Sequence, residues 1–174
     1  DPPLLREAAN DALAALFGDV KLFMGEMVAA MGSATMQEIF RQSYDIFKVF
    51  EPVDLLHAMS RRTRYTRAWN VFAETYPLIL TPFMMRPSYE WDEDTRGGAE
   101  VEDIFASAVY SWVINFLGLP AAIAPAGFHN DLPISVQLVG RRFREDLTLD
   151  AAEVLERASG IAVQTLWQRQ GLRA

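Results

Sequence analysis

The sequence lacks cysteine altogether and contains only two histidines. Without cysteine the chain can form no disulfide, offer no thiolate nucleophile and hold no zinc or iron–sulfur cluster through sulfur. His57 and His129 are isolated from each other, which leaves little for a histidine metal site, so we expect both to be structural. We therefore expect no metal and no other cofactor.

Positive charge is also scarce. Sixteen Lys and Arg residues face 23 Asp and Glu residues, which gives a net charge of −7 at pH 7. A chain this acidic is repelled by phosphate backbones, so we expect no nucleic acid among its partners. Neither a basic segment nor an apolar run follows Asp1, so we expect no signal peptide and a cytoplasmic protein.

One run of 25 residues, from Ile104 to Phe128, contains no charged residue. Its length would suffice to cross a bilayer, but Gly118-Leu119-Pro120 interrupts it and several polar residues dilute it. A helix of about 14 residues that runs into a buried strand explains the pattern better. We therefore expect no membrane partner.

What the sequence does have is the composition of a folded domain. Its 174 residues are 51% hydrophobic and 22% charged, enough to bury one sizeable core. Helical and strand patterns alternate along the chain, which predicts an α/β fold whose helices cover part of a mixed β-sheet. Two strand candidates are nearly all apolar, as is typical when both faces of a sheet are buried.

Periodicity and end signals predict where the elements lie. We expect helices over residues 2–16, 35–50, 54–76, 104–117 and 145–160, and strands over residues 20–24, 78–81, 121–125 and 132–140. Gly18 is the expected cap at the end of the first helix. Thr35 and Glu38 resemble a capping box at the start of the second helix, which Pro52 should end.

Two charged clusters have structural explanations that we prefer. Arg61, Arg64 and Arg67 are three residues apart and predict a solvated helix face. Arg62 falls among aromatic positions of the same helix, where snorkelling past the rings, pairing with a structural acid and binding a ligand carboxylate all stay open. The acidic residues between Pro82 and Gly98 miss the spacing of a calcium loop, so we expect a solvated loop.

The sequence shows no pattern of a nucleophile with its activating base. None of the eight serines lies in a Gly-x-Ser-x-Gly motif, and the lysines are Lys21 and Lys48 alone. No glycine-rich phosphate loop or dinucleotide fingerprint occurs either. From the residues alone, we expect this chain to contain no catalytic residue and no metal ligand.

Several segments, taken in order, are similar to a known family. Residues 115–128 contain Gly118-Leu119-Pro120, and residues 132–147 read LPISVQLVGRRFREDL. Upstream lie the segment YPLILTP over residues 76–82 and the Trp69-x-x-Phe72 helix. Together these segments, spread over residues 52–160, resemble the C-terminal part of the amidase signature family, whose members hydrolyse amide C–N bonds.

The resemblance implies a mechanism with two serines and a lysine that lie in the N-terminal half of the family fold. Neither the Gly/Ser-rich signature nor the upstream lysine strand occurs in this sequence, so no catalytic position can be carried over. We interpret residues 1–174 as a C-terminal fragment of a single amidase domain, inactive alone. Its expected partners are the N-terminal half of the same enzyme and a small-molecule amide. Because apolar surface would be left uncovered, we also expect dimerisation or aggregation.

The resemblance also bears on the substrate. The branch that draws ammonia from glutamine for transamidation of tRNA has an acidic residue about seven positions before the residue matching Asn115, where this sequence has Ala108. An apolar position cannot pair a substrate ammonium, which favours a simpler hydrolase of aryl or aliphatic amides. We expect Phe83, Trp91 and Trp112 to line the substrate channel, with ordinary core roles as the alternative for each. The alternative function is a non-catalytic domain that binds a ligand or a protein partner.

Overall fold

The computed structural model describes residues 1–172, which form seven α-helices, one short 3-10 helix and three β-strands. The elements follow one another as α1 (Leu5–Met31), α2 (Ala34–Ile46), α3 (Pro52–Thr75), β1 (Leu78–Pro82), the 3-10 helix (Glu93–Thr95), α4 (Gly98–Ser107), α5 (Val109–Leu117), β2 (Ala121–His129), β3 (Leu132–Gly140), α6 (Glu145–Ser159) and α7 (Ala162–Arg169). This mixture of helices around a small sheet confirms the predicted α/β class.

The three strands form one antiparallel sheet in the order β1-β3-β2. Val139, at the centre, pairs with Ile79 on one side and Ala121 on the other, and it is almost fully buried. Helix α6 packs against β2 and β3. A Cβ on Gly140 would lie 2.8 Å from Thr148 Cγ2, so a glycine is needed where the helix crosses the end of β3.

The core lies between α1, α3 and α5, and Ile79 of β1 and Leu119 pack against it. Its buried members are Ala8, Ala9, Tyr65, Trp69, Val113 and Leu117. The two alanines have small side chains, which lets the backbone of α1 come close to the large rings of α3. Tyr65 and Trp69 are one turn apart on α3, as the predicted aromatic stripe of that helix requires.

A buried carboxylate joins α1 to α3. Arg61 donates from Nε to Asp11 Oδ2 at 2.8 Å and from Nη2 to Oδ1 at 2.9 Å, and the Tyr65 hydroxyl donates to Oδ2 at 2.9 Å. Arg61, Arg64 and Arg67 are all exposed as predicted, and Arg61 in addition pairs with the buried Asp11. Burial, followed by the contact with Asp11, raises the pKa of Tyr65, which keeps its hydroxyl protonated as the donor.

The strand predicted over residues 20–24 is wrong, because α1 continues as a helix to Met31. Leu22 and Phe23 are exposed on that helix, so the alternation of their sequence reflects no sheet face. Gly18 does not end the helix either. A Cβ there would lie 3.0 Å from the Phe50 carbonyl oxygen, which indicates that the glycine serves the close approach of the chain before α3.

Several other element ends differ from prediction. Ser33, not Thr35, caps α2 by accepting the Met36 N–H at 3.1 Å, and Pro52 begins α3 instead of ending α2. The helix predicted over residues 104–117 is two helices that meet at Ala108. Helix α7 was not predicted, and β2 is longer than predicted. Strands β1 and β3 and helix α6 lie where they were predicted.

No helix within residues 1–172 is both long enough and apolar enough to cross a membrane. In the uncharged run from Ile104 to Phe128, the polypeptide passes from α4 through α5 into β2. Gly118 takes a left-handed conformation with φ of 66° and ends α5. The interruption seen in the sequence is therefore a helix end.

Two leucines test whether the core stabilises the fold as described. Leu117→Ala empties a fully buried position, and we expect the free energy of unfolding to fall by about 2–5 kcal/mol. Leu149→Ala makes the same chemical change at a side chain that is 63% exposed on α6, and should cost under about 0.5 kcal/mol. Urea denaturation followed by circular dichroism measures both, and equal losses would contradict this description of the core.

Candidate functional site

A groove of about 570 Å³ opens between α1, α3 and α5. Its walls are mostly apolar, and they are formed by Ala12, Ala15, Leu16, Leu55, Met59, Trp112 and Phe116. Asp19 and Asn115 are the two polar residues that line it. An apolar groove with a few polar groups is typical of a small-molecule site.

Trp112 is held in a fixed orientation at this groove. Its ring stacks on Phe105 with centroids 5.5 Å apart and an angle of 21° between the planes. Its Nε1–H donates to the Phe105 carbonyl at 2.8 Å, so the polar end of the ring is satisfied by protein. The indole is therefore a preformed, rigid wall of the groove.

Phe83 and Trp91 do not line the groove. Phe83 directly follows β1, and its carbonyl accepts the Ser111 hydroxyl at 2.9 Å, which brings this part of the chain to α5 one residue before Trp112. Trp91 lies on the loop before the 3-10 helix with 90% of its surface exposed. The structure thus brings Phe83 to the helix of Trp112 and leaves Trp91 in solvent.

The acidic loop that carries Trp91 is held by ion pairs. Glu93 is buried, accepts the Glu90 N–H at 2.7 Å and pairs with Arg86 at 2.6 Å. Arg86 also pairs with Asp103 of α4, and Arg96 pairs with Glu90. The prediction that the acidic residues of this loop are solvated is therefore wrong for Glu93, which is buried. The Glu90 N–H and the nearby Arg86 lower the pKa of the Glu93 carboxyl.

Within residues 1–172, no hydrogen bond joins a serine hydroxyl to a lysine or histidine side chain. The serine hydroxyls that donate hydrogen bonds, on Ser43, Ser107, Ser111 and Ser159, all bond to backbone carbonyls. Lys21 is exposed and lies 3.9 Å from Glu51. The same residues contain no group of three His, Asp or Glu side chains that could hold a metal ion. The groove itself is lined by no serine, lysine or histidine.

Sequence reasoning missed the contribution of α1 to this groove. Ala12 and Leu16 belong to the apolar residues whose helical spacing predicted the first helix, so the sequence did indicate a buried face there; Ala15 was not among them. What this spacing could not reveal is that part of this face stays open beside Trp112. Asp19 escaped notice because the helix was expected to end at Gly18.

Comparisons with known proteins give a consistent result. The family model described as Amidase matches residues 6–149. The chain is 39% identical over 114 residues to an indoleacetamide hydrolase of Bradyrhizobium japonicum, covering 65% of this chain and 24% of that protein. It is 29% identical over 150 residues to a glutamyl-tRNA(Gln) amidotransferase subunit of Rhodopseudomonas palustris strain BisA53, covering 85% of this chain and 30% of that protein.

Solved structures agree on the fold. A glutamyl-tRNA(Gln) amidotransferase subunit of Thermotoga maritima matches 91% of this chain and 34% of its own, with a TM-score of 0.61 and 23% identity. A 6-aminohexanoate cyclic dimer hydrolase complexed with substrate matches 93% of this chain and 37% of its own, with a TM-score of 0.64 and 21% identity. The chain thus spans about a quarter to a third of the relatives that it matches.

The buried Glu93 carboxylate predicts a pH dependence of stability. Because its folded pKa is lowered, its ionised form stabilises the fold fully above the unfolded pKa, and this contribution is lost as the pH falls through the folded pKa. Glu93→Gln should destabilise the protein at pH 7 and have a progressively smaller effect as the pH falls to about 3. Urea unfolding of both proteins across this range measures the difference, and a pH-independent difference would contradict the interpretation.

Proposed function

Because the chain belongs to the amidase family, we propose that it forms the C-terminal part of a hydrolase that cleaves a carboxylic amide C–N bond. The observation that carries this proposal is the match over residues 6–149, together with an apolar groove that lacks reacting groups. Residues 1–174 would supply the surface that binds the substrate. The reacting groups would come from an N-terminal half outside this sequence.

The proposed chemistry follows from the family resemblance. A serine activated by a lysine through a second serine attacks the amide carbonyl, the amine or ammonia leaves with a proton, and water then hydrolyses the acyl-enzyme. The described serines are bonded to backbone or lack a basic partner, which supports placing all three groups outside this chain. The contribution of the present residues is to position the substrate so that this attack is productive.

The groove favours an amide with an aryl or aliphatic body. Trp112 and Phe116 offer aromatic surface at one wall, while Leu55 and Met59 offer aliphatic surface at another. Ala108, where the glutamine-using branch has an acid, is buried at the junction of α4 and α5. A substrate ammonium would find no carboxylate at that position, so we propose an uncharged amide over glutamine.

We propose that Trp112, Phe83 and Trp91 all line the route of the substrate. Trp112 is the best supported of the three, since it lies in the groove and is held rigidly. The hydrogen bond between Ser111 and Phe83 ties the second residue to the same helix. Trp91, exposed on its loop, would complete the channel only when covered by the other half of the enzyme.

The proposed N-terminal half would also cover apolar surface that α1 leaves exposed. Phe23 and Met31 project from the C-terminal end of this helix with most of their surface in contact with solvent. Single exposed apolar residues are ordinary, but this helix end carries several, including Leu22, Met24 and Met27. The chain alone should therefore dimerise or aggregate, as light scattering can show.

A non-catalytic binding domain is the second candidate. The same groove supports it, because a preformed apolar site without reacting groups needs nothing further to bind a ligand. The two candidates differ in whether any form of the protein releases product from an amide.

An assay of ammonia release tests the proposal. The 174-residue chain incubated with an arylacetamide should release no ammonia above the buffer control, because the proposed nucleophile and base lie outside it. A polypeptide that joins this chain to the family's N-terminal half should hydrolyse at least one member of a panel of aryl and aliphatic amides. Turnover by the chain alone would contradict the proposal that the reacting groups lie in the N-terminal half. Binding without turnover by the longer protein would favour the non-catalytic binding domain.

Kinetics of the longer protein test the substrate wall. Trp112→Ala should raise KM for an aryl amide by about tenfold, because one face of the aromatic ring loses its partner. Phe83→Ala and Trp91→Ala should raise it by about threefold each, since both side chains are more exposed. Val154→Ala on the exposed face of α6 is the control and should leave KM unchanged. An unchanged KM for Trp112→Ala would contradict the proposed role of the groove.

A further inference from the structure

A second cleft, of about 390 Å³, runs along α3 and is also lined by Arg142 from the loop after β3. Its lining is rich in basic and polar side chains, namely Arg62, Thr63, Thr66, Arg67, Asn70 and Arg142, with Met59 and Val71 as the apolar members. Among residues 1–172, no Asp or Glu lines it. In a chain of net charge −7, this concentration of positive charge stands out.

The three arginines of this cleft have no carboxylate partner in the described part of the chain. Seven other arginines within residues 1–172 form ion pairs, each with an N–O distance of 4.0 Å or less. Arg62, Arg67 and Arg142 form none, although acidic residues outnumber basic ones in the sequence. Half of the unpaired arginines in that range thus meet in one cleft.

The guanidinium groups of Arg62 and Arg142 both lie close to Gly118. The position that a Cβ of Gly118 would take lies 3.4 Å from Arg62 Nη2 and 4.0 Å from Arg142 Nη2. Arg62 donates from Nε to the Phe116 carbonyl at the end of α5 and lies 5.9 Å from the centroid of the Phe116 ring, and its terminal nitrogens form no hydrogen bond within residues 1–172. Two like charges in this proximity repel each other, and an anion bound between them would offset the repulsion.

Polar neutral groups complete the cleft. The Thr66 hydroxyl is already engaged, because it donates to the Arg62 carbonyl at 2.9 Å. Thr63 and Asn70 lie about one turn to either side of Thr66 on α3, and their side chains form no hydrogen bond within residues 1–172. They can add neutral donors to the charged ones. The exposed side chains of Met59 and Val71 offer room for a short apolar body.

We propose that this cleft binds a small organic carboxylate, with Arg62 and Arg142 holding its two oxygens and Arg67 adding positive charge. The planar fork of a guanidinium matches a carboxylate in two parallel hydrogen bonds, and such charge-assisted bonds are the strong ones. The apolar residues beside it favour a carboxylate with a hydrocarbon group over a bare ion. This inference is independent of the proposed amide hydrolysis, because it concerns binding alone.

Titration of the soluble fraction of the 174-residue chain, isolated by size-exclusion chromatography, with sodium benzoate at constant ionic strength tests the proposal. Saturable binding measured by isothermal titration calorimetry should weaken by about tenfold in Arg142→Gln and in Arg67→Gln. Both side chains are exposed and unpaired within residues 1–172, so these variants should fold as the parent does. Arg64→Gln and Arg141→Gln remove the same charge from exposed arginines outside the cleft that are likewise unpaired in that range, and should bind benzoate as before.

A second titration uses inorganic phosphate, which is an anion like benzoate but has no hydrocarbon group. Benzoate should bind more tightly than phosphate. Absence of saturable benzoate binding, equal losses in the cleft and control variants, or saturable binding of phosphate alone would each overturn the proposal. Resonances of the arginine Nε–H groups should shift for Arg62 and Arg142 on benzoate addition, and shifts confined to other arginines would likewise contradict it.

Discussion

The carboxylate of Asp11, held between Arg61 and Tyr65, is the contact on which the arrangement of the helices depends. A carboxylate that leaves water loses hydration, and here three donors on α3 replace it. The contact fixes both the distance and the rotation of α1 relative to α3. That rotation points Ala8 and Ala9 toward Trp69, where only small side chains allow the helices to approach.

Helix α3 then borders two cavities of opposite character, one apolar and one basic. Met59 lies at both, since it lines the apolar groove with Trp112 and the basic cleft with Arg142. The hydrogen bond from Arg62 to the Phe116 carbonyl links the cavities more directly, because Arg62 lines the cleft and Phe116 lines the groove. An anion that attracts the Arg62 guanidinium would therefore also affect the hydrogen bond between Arg62 and the Phe116 carbonyl at the end of α5. The groove and the cleft therefore lie next to each other along α3, and a shift of this helix would change both.

The sequence predicted those elements whose periodicity and end signals agree. Strand β3, between the turn before Leu132 and Gly140, and α6, with acids in its first turn and Gly160 after it, lie where they were expected. The strand expected over residues 20–24 failed because alternation over five residues occurs in helices too, and a long α1 overrides so local a pattern. Ser33 and Thr35 are both good capping residues, and tertiary contacts decide between them. The family was recognisable because β2, β3 and their flanking segments appear in order, a pattern more specific than any single element.

The site was less predictable than the fold for a physical reason. An aromatic residue at helical spacing looks the same in sequence whether it fills a core or borders a groove, so Trp69 and Trp112 are indistinguishable until packing is known. Arginines pose the same problem: Arg61 and Arg62 are adjacent, yet one meets a buried acid and the other a helix end. What a chain can bind depends on which polar groups the fold leaves without partners. Within residues 1–172, Arg62, Arg67 and Arg142 line one cleft along α3 without a carboxylate partner, whereas the buried acids Asp11 and Glu93 are paired with arginines.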